Sequence, residues 1–271
     1  MGKVILNLKT EIPVPVEAET ISPDIFAAKT NREIKELPVF WGNKIKKLGE
    51  LFDVEGEKED NLEIRGQLRN VKKIGQGMSR GKIRIIGNAG MHLGSMMKGG
   101  EILVEGDAQD WLGAEMTGGL IRVKGNAGNL VGAAYRGASS GLNGGTIIIE
   151  GNAGSMAGEL MCRGMLVILG RAGDFTGSMM KGGTIIVFGP NGERLGAQMK
   201  RGSLVVFQKP GLLPTFRFNC TMNPVFLRVA FTLLKQLGIQ PAGQYVDARF
   251  LKYSGDFSES GKGEILVYDQ C

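Results

Sequence analysis

Three cysteines and one histidine in 271 residues leave little from which to build a redox or metal centre. Cys162, Cys220 and Cys271 are far apart, and no C-x-x-C pair occurs, which fits a reducing cytoplasm and gives no cluster or zinc site. With His92 as the sole histidine, neither a His-based triad nor a histidine metal site can be assembled. No apolar run reaches the ~20 residues of a membrane span. The opening MGKVILNLKT has no apolar h-region or cleavage site, so no signal peptide is expected. Leu6 stands where a myristoylation signal needs Ser or Thr. The sequon Asn219-Cys220-Thr221 has no use in the cytoplasm, where the chain is expected to reside. Aromatic residues are few, at 7%, and the net charge of +6 is modest and reads as solvated lysines. Neither nucleic acid nor membrane is an expected partner.

Glycine is what the chain has in excess: 43 residues, about 16% against a usual ~7%. Its distribution is periodic. The heptapeptide GSMMKGG occurs at Gly94 and again at Gly177, and it marks a longer repeat. Gly81, Gly100, Gly119, Gly145, Gly164, Gly183 and Gly202 are spaced by 19 residues, except for one gap of 26. The seven-residue excess lies within AAYRGASSGLN, after Gly132. Each unit reads approximately G-x-I-x-V-x-G-N-A-G-x-x-L-G-x-x-M-x-G. Its first half alternates with period two, the mark of a short strand with one buried face.

The inward positions run from Ile83 and Ile85, through Ile102 and Val104, to Leu204 and Val206. A second interior column comprises Met78, Met97, Met116, Leu142, Met161, Met180 and Met199. Methionine suits an irregular interior corner, and acceptance of Leu in the column argues against a copper or cofactor cluster. Short strands, glycine corners and a fixed period together predict an all-β solenoid of about seven 19-residue coils over residues 51–207. LFDVEG (51–56) and LEIRG (62–66) read as irregular opening coils. Gly87, Gly106, Gly125, Gly151, Gly170 and Gly189 follow each strand, either to take a positive φ or to admit a neighbouring backbone.

Outward strand positions change character along the chain. The early coils carry charge, with Glu105, Lys124 and Glu150 as an alternating ladder. The later coils present Ile148, Val167, Ile186, Val205, Leu169, Phe188 and Phe207, an apolar patch that something must cover. The natural cover is a helix over MNPVFLRVAFTLLKQLG, whose stripe comprises Phe226, Leu227, Ala230, Phe231, Leu233, Leu234 and Leu237. A partner subunit is the competing cover. Residues 208–271 are thus expected to form a helix and β-hairpin cap, with strands in QYVDARFLKYSGD and GKGEILVYD. Residues 1–50 form an N-terminal extension with short helices at Ser22-Pro23 and at the capping box Thr30–Glu33.

No catalytic constellation emerges. GNAGMHLG resembles a phosphate cradle, but GNAGNLVG, GNAGSMAG and GRAGDFTG repeat it coil after coil, which argues for architecture. His92 occupies the column of Trp111, Leu130, Met156, Phe175 and Arg194, so a packing role is expected. Glu101, Glu105, Asp107 and Asp110 place four acids on one coil, which reads as a solvated edge in preference to a calcium site.

The repeated G-x-I-x-V-x-G…A-G…G…M-x-G-G units resemble the GXGXG β-helix. It is shared by the C-terminal domain of large glutamate synthase chains and by the C subunit of formylmethanofuran dehydrogenase, the CO2-fixing enzyme of methanogenic archaea. The length, and the tail Phe250-Leu-Lys-Tyr253-Ser-Gly-Asp256 followed by Gly261-Lys-Gly-Glu264, are similar to the latter. That resemblance implies a right-handed single-stranded β-helix in a cytoplasmic complex that reduces CO2 onto methanofuran. Pterin-bound tungsten or molybdenum, iron–sulfur clusters and an amidohydrolase-type metal site would then belong to pterin-enzyme, ferredoxin-type and amidohydrolase subunits. This chain would hold no cofactor and serve as a scaffold. The glutamate synthase resemblance implies amidotransferase chemistry instead. A carbohydrate-active β-helix enzyme ranks last, for want of an outer catalytic cluster.

Overall fold

The computed structural model describes residues 2–269, the Pro241 side chain apart; Cys271 lies outside them. The N-terminal segment carries β1 (Val4–Leu8), β2 (Val16–Glu17), α1 (Pro23–Phe26), α2 (Asn31–Lys35), β3 (Pro38–Trp41), β4 (Lys44–Lys47), α3 (Leu48–Leu51) and β5 (Phe52–Glu55). The repeat region carries β6 (Asn61–Arg65), β7 (Val71–Lys72), β8 (Lys82–Ile86), β9 (Glu101–Val104), β10 (Leu120–Val123), β11 (Asn143–Ile149), β12 (Arg163–Ile168), β13 (Thr184–Val187) and β14 (Arg201–Val206). The C-terminal part carries β15 (Arg217–Met222), α4 (Val225–Gln236), a 3₁₀ turn (Gln240–Tyr245), β16 (Phe250–Gly255) and β17 (Lys262–Tyr268).

From β8 to β14 every repeat adds one strand, parallel and in register, to the same sheet. Ile83, Ile102, Ile121, Ile147, Leu166, Ile185 and Leu204 therefore form one continuous interior row. The methionine column from Met78 to Met199 is likewise fully buried. A third row joins Leu68, Ala89, Ala108, Ala127, Ala153, Ala172 and Asn191 through single parallel bridges. The small side chains of that row set how closely facing walls approach, and apolar burial along all three rows supplies the main stabilisation.

The corners explain the glycine count. Gly81, Gly100, Gly119, Gly145, Gly164, Gly183 and Gly202 all have positive φ. The post-strand glycines divide differently. Gly87 has φ +136°, whereas Gly106, Gly125, Gly151, Gly170 and Gly189 have ordinary φ and are glycine for lack of room. A Cβ on Gly170 would lie 2.6 Å from the carbonyl oxygen of Gly151 in the preceding coil.

The residue after this glycine builds a polar ladder. Asn88, Asp107, Asn126 and Asn152 each accept, through Oδ1, the backbone N–H of the residue one coil on, at 2.7–2.9 Å. The ladder ends at Arg171, whose side chain has no acceptor. The equivalent residue of the next coil is Pro190, which has no N–H to be satisfied.

Both ends depart from the simple reading. LEIRG forms β6, parallel to β8, but LFDVEG forms β5, which runs antiparallel to β1 at the sheet edge. β1 itself pairs in parallel with β6, so the N-terminal segment starts the sheet. Thr30 and Glu33 close a reciprocal capping box on α2, while Ser22 makes no side-chain cap on α1. In QYVDARFLKYSGD only Phe250–Gly255 is a strand; Gln244 and Tyr245 end the 3₁₀ turn, and residues 246–249 lead into the strand without regular structure. β17 pairs in parallel with β14 and in antiparallel with β16, so the hairpin extends the stack. The result is one sheet of thirteen strands in the order β15-β16-β17-β14-β13-β12-β11-β10-β9-β8-β6-β1-β5 among the described residues.

Candidate interaction surface

In β8, β9 and β10 buried and exposed or half-exposed residues alternate, while the last three residues of β11, β12, β13 and β14 are buried on both faces. The change has one cause: α4 and the 3₁₀ turn lie over the outer face of the late strands. Ile148, Val167, Ile186, Val205 and Phe207 form one buried cluster with Leu227, Phe231 and Leu234 of α4, and with Phe250 and Leu266. Leu169 and Phe188 pack at its border. Phe188 and Phe207 stack with centroids 4.6 Å apart, and Tyr245 closes on Phe207 at 4.2 Å.

A polar clamp fixes the helix end. Arg122, on the outer face of β10, donates from Nη1 to the Leu237 carbonyl at 2.7 Å and from Nε to Glu150 at 2.6 Å. A guanidinium at a helix C-terminus satisfies an orphan carbonyl and complements the dipole. Glu150 is thereby drawn to Arg122, so the outer charges do not form one continuous ladder. Glu105 is the acid that bridges Lys124, at 2.5 Å, and Arg84, at 2.7 Å.

The helix stripe is split. Leu227, Phe231 and Leu234 are buried, but Phe226 and Leu233 face outward beside Val225 and Val229, which are 70% and 74% exposed. Val225, Val229 and Leu233 follow one another at i, i+4 and i+8, so they share a face, and Arg228, Thr232 and Gln236 border it. This face remains as apolar surface once the late-coil patch is covered. Next to it in sequence, β15 pairs among the described residues with β16 alone and lies at the sheet edge, with Phe218 exposed. The expectations from sequence include neither feature; the valines at i and i+4 outside the inward stripe are the signal available for the first.

The four acids gathered on one coil, Glu101, Glu105, Asp107 and Asp110, are engaged in structure. Glu101 pairs with Lys82 at 2.9 Å, and Asp107 and Asp110 accept backbone N–H groups at 2.8 Å. Three-residue groupings of His, Cys, Asp and Glu able to hold a metal ion are absent among the described residues. Cys162 and Cys220 are free thiols. His92 sits against Trp111 and Tyr135, with Nδ1 2.8 Å from the Tyr135 hydroxyl. Burial, and then Lys72 and Lys73, hold its pKa below the ordinary imidazole value. Burial raises the pKa of the Tyr135 phenol in turn. No helix among the described residues is long and apolar enough to cross a membrane.

A profile of the GXGXG motif family matches residues 67–227, more than half of the chain. The chain is 41% identical over 100 residues to the C subunit of the tungsten-containing formylmethanofuran dehydrogenase 2 of Methanothermobacter marburgensis. It is 43% identical over 98 residues to the C subunit of the molybdenum-containing formylmethanofuran dehydrogenase 1 of Methanosarcina barkeri. These alignments cover 35% and 34% of this chain, and 37% and 33% of the relatives. A chain in the crystal structure of the formyltransferase/hydrolase complex (FhcABCD) from Methylorubrum extorquens with methylofuran superimposes with a TM-score of 0.92 at 35% identity. That match covers 98% of this chain and 100% of the other. The chain belongs to the GXGXG motif family, and its relatives there are named as C subunits of formylmethanofuran dehydrogenases.

Proposed function

We propose that this chain is a right-handed β-helical scaffold subunit, without catalytic residues of its own, in a cytoplasmic complex that handles formyl groups on a furan-type carrier. The reading put first is formylmethanofuran dehydrogenase, which reduces CO2 with methanofuran to formylmethanofuran. Tungsten or molybdenum pterin, iron–sulfur clusters and an amidohydrolase-type metal site are then assigned to the pterin-enzyme, ferredoxin-type and amidohydrolase subunits. The observation that carries the scaffold reading is the full-length likeness to a chain of a multi-subunit complex, joined to polar side chains engaged in ladders, clamps and ion pairs.

The outward face of α4 is the surface proposed for contact with a neighbour, since an apolar helix face seats readily in a partner's groove. The FhcABCD likeness favours a second reading, a formyltransferase/hydrolase complex. Both readings share the scaffold. The chain purified alone should show β-rich circular dichroism, no formylmethanofuran dehydrogenase activity and no bound metal. Stoichiometric tungsten, molybdenum or iron in the isolated chain overturns the scaffold reading. A glutamate synthase neighbour would overturn both complexes.

A further inference from the structure

The seven-residue excess breaks the repeat at one place, and there the polypeptide makes a pocket. It encloses about 310 Å³ between the insertion and two coil corners, with Trp111, Tyr135, Arg136, Met156 and Glu159 in its wall. One side is a fixed aromatic wall. The Tyr135 ring stacks on Trp111 with centroids 4.9 Å apart, its hydroxyl is held by His92, and its backbone N–H donates to Glu115 Oε1 at 3.0 Å. On another side stands Glu159, half-buried and unpaired with any cation among the described residues. Its pKa is raised by burial alone, so the exposed Arg136 does not compensate it. A partly desolvated carboxylate without a counter-charge is costly, and the face of an indole attracts cations.

We propose that this pocket is a site for an organic cation, an alkylammonium or guanidinium group that pairs with Glu159 and lies against the Trp111–Tyr135 wall. The cation reaches it either as a free amine or as a Lys or Arg side chain of a neighbouring chain. This inference does not depend on which complex the chain joins.

The test uses the full-length chain carrying Trp41→Phe, so that Trp111 is its only indole. Its fluorescence is titrated with butylammonium, butylguanidinium, N-acetyl-lysine amide and, as a neutral control, 1-pentanol. A saturable change with the cations, at least tenfold weaker with the alcohol and in Glu159→Gln, is expected. Tighter binding of the lysine amide than of butylammonium identifies a protein side chain as the source, and the reverse order a free amine. No saturable response, or an equal response from the alcohol, overturns the proposal. Equal binding by a Glu159→Gln variant that melts like its parent does so too. If that variant melts early, the comparison of cation with alcohol on the unsubstituted Glu159 decides.

Discussion

Gly170 and Gly77 separate two reasons for glycine in a repeat. Gly170 has an ordinary φ but no space, because a Cβ would meet Asn152 Oδ1 at 2.5 Å and the Gly151 carbonyl carbon at 2.7 Å. Gly77 has φ +66° and nothing within 4 Å. Gly77→Ala should therefore cost only the left-handed backbone penalty, about 1 kcal/mol. Gly170→Ala forces two coils apart and should cost more, up to ~3 kcal/mol. Denaturant melts of the two variants check the order, which the reverse ranking would contradict. Acid sensitivity also resides in single residues. Glu63, nearly buried, receives Lys3 at 2.6 Å and an ion pair from Arg65, and the Lys3 hydrogen bond leads the causes that lower its pKa. For Asp256, burial pushes upward, but hydrogen bonds from Ser258 and Gln198 together outweigh it and the pKa is lowered. A folded pKa below the unfolded value gives stability that is present above the unfolded value and is lost as pH falls through the folded one. Stability should thus decline below about pH 4, and Glu63→Gln with Asp256→Asn should flatten that decline while lowering stability at neutral pH. An unchanged slope in urea titrations at several pH values would refute the assignment. What sequence inspection cannot reach at this scale is the backbone of His92, Trp111, Leu130, Met156, Phe175 and Arg194. All have φ between +56° and +64°, although none is glycine. From His92 to Phe175, each donates its N–H to a carbonyl of the following coil, at 2.8–3.0 Å. Such bonds between coils hold a conformation that local propensity disfavours, so no residue type announces it.

Among the elements, α4 decides which sheet surface is wet. Its buried Phe231 touches Phe207 and Tyr245, so Phe231→Ala should cost ~3–5 kcal/mol and loosen the C-terminal unit first. Hydrogen exchange should then rise in α4 and on the outer faces of β12 to β14, before the interior rows respond. Simultaneous exchange throughout would mean that helix and sheet melt as one. The helix and the apolar patch are both legible in the sequence, because a helical stripe and an apolar run on outward strand positions each require a cover. Which of the stripe's residues turn inward is not. Leu227, Phe231 and Leu234 do so while Phe226 and Leu233 do not, a rotation set by the clamp from Arg122 and by the shape of the patch. Nor is the return of β17 to β14, since a strand's partner after a loop of that length is a tertiary choice with no local signal.

At the scale of the whole molecule, the fixed period makes the architecture readable. Every coil has to repeat the same corner geometry to keep strands in register, so any departure shows as a broken spacing. The candidate surface is less readable, because it is defined by what the terminal elements leave uncovered. Val229→Glu, at a position 74% exposed, should change stability by less than about 0.5 kcal/mol and yet release the chain from its neighbours on a sizing column. Retention of the variant in the complex would remove the α4 face from the interface. In the proposed role the chain organises catalytic neighbours and does no chemistry itself. Native mass spectrometry of the chain purified from its own cells, with metal analysis of the complex and of the chain released from it, tests this most directly. The predicted result is an assembly with pterin-enzyme, amidohydrolase and ferredoxin-type chains, in which all the metal stays with those chains. An assembly of formyltransferase and hydrolase chains alone would select the second reading and keep the scaffold role. A metal that travels with the released chain, or a chain that occurs without partners, would rule that role out.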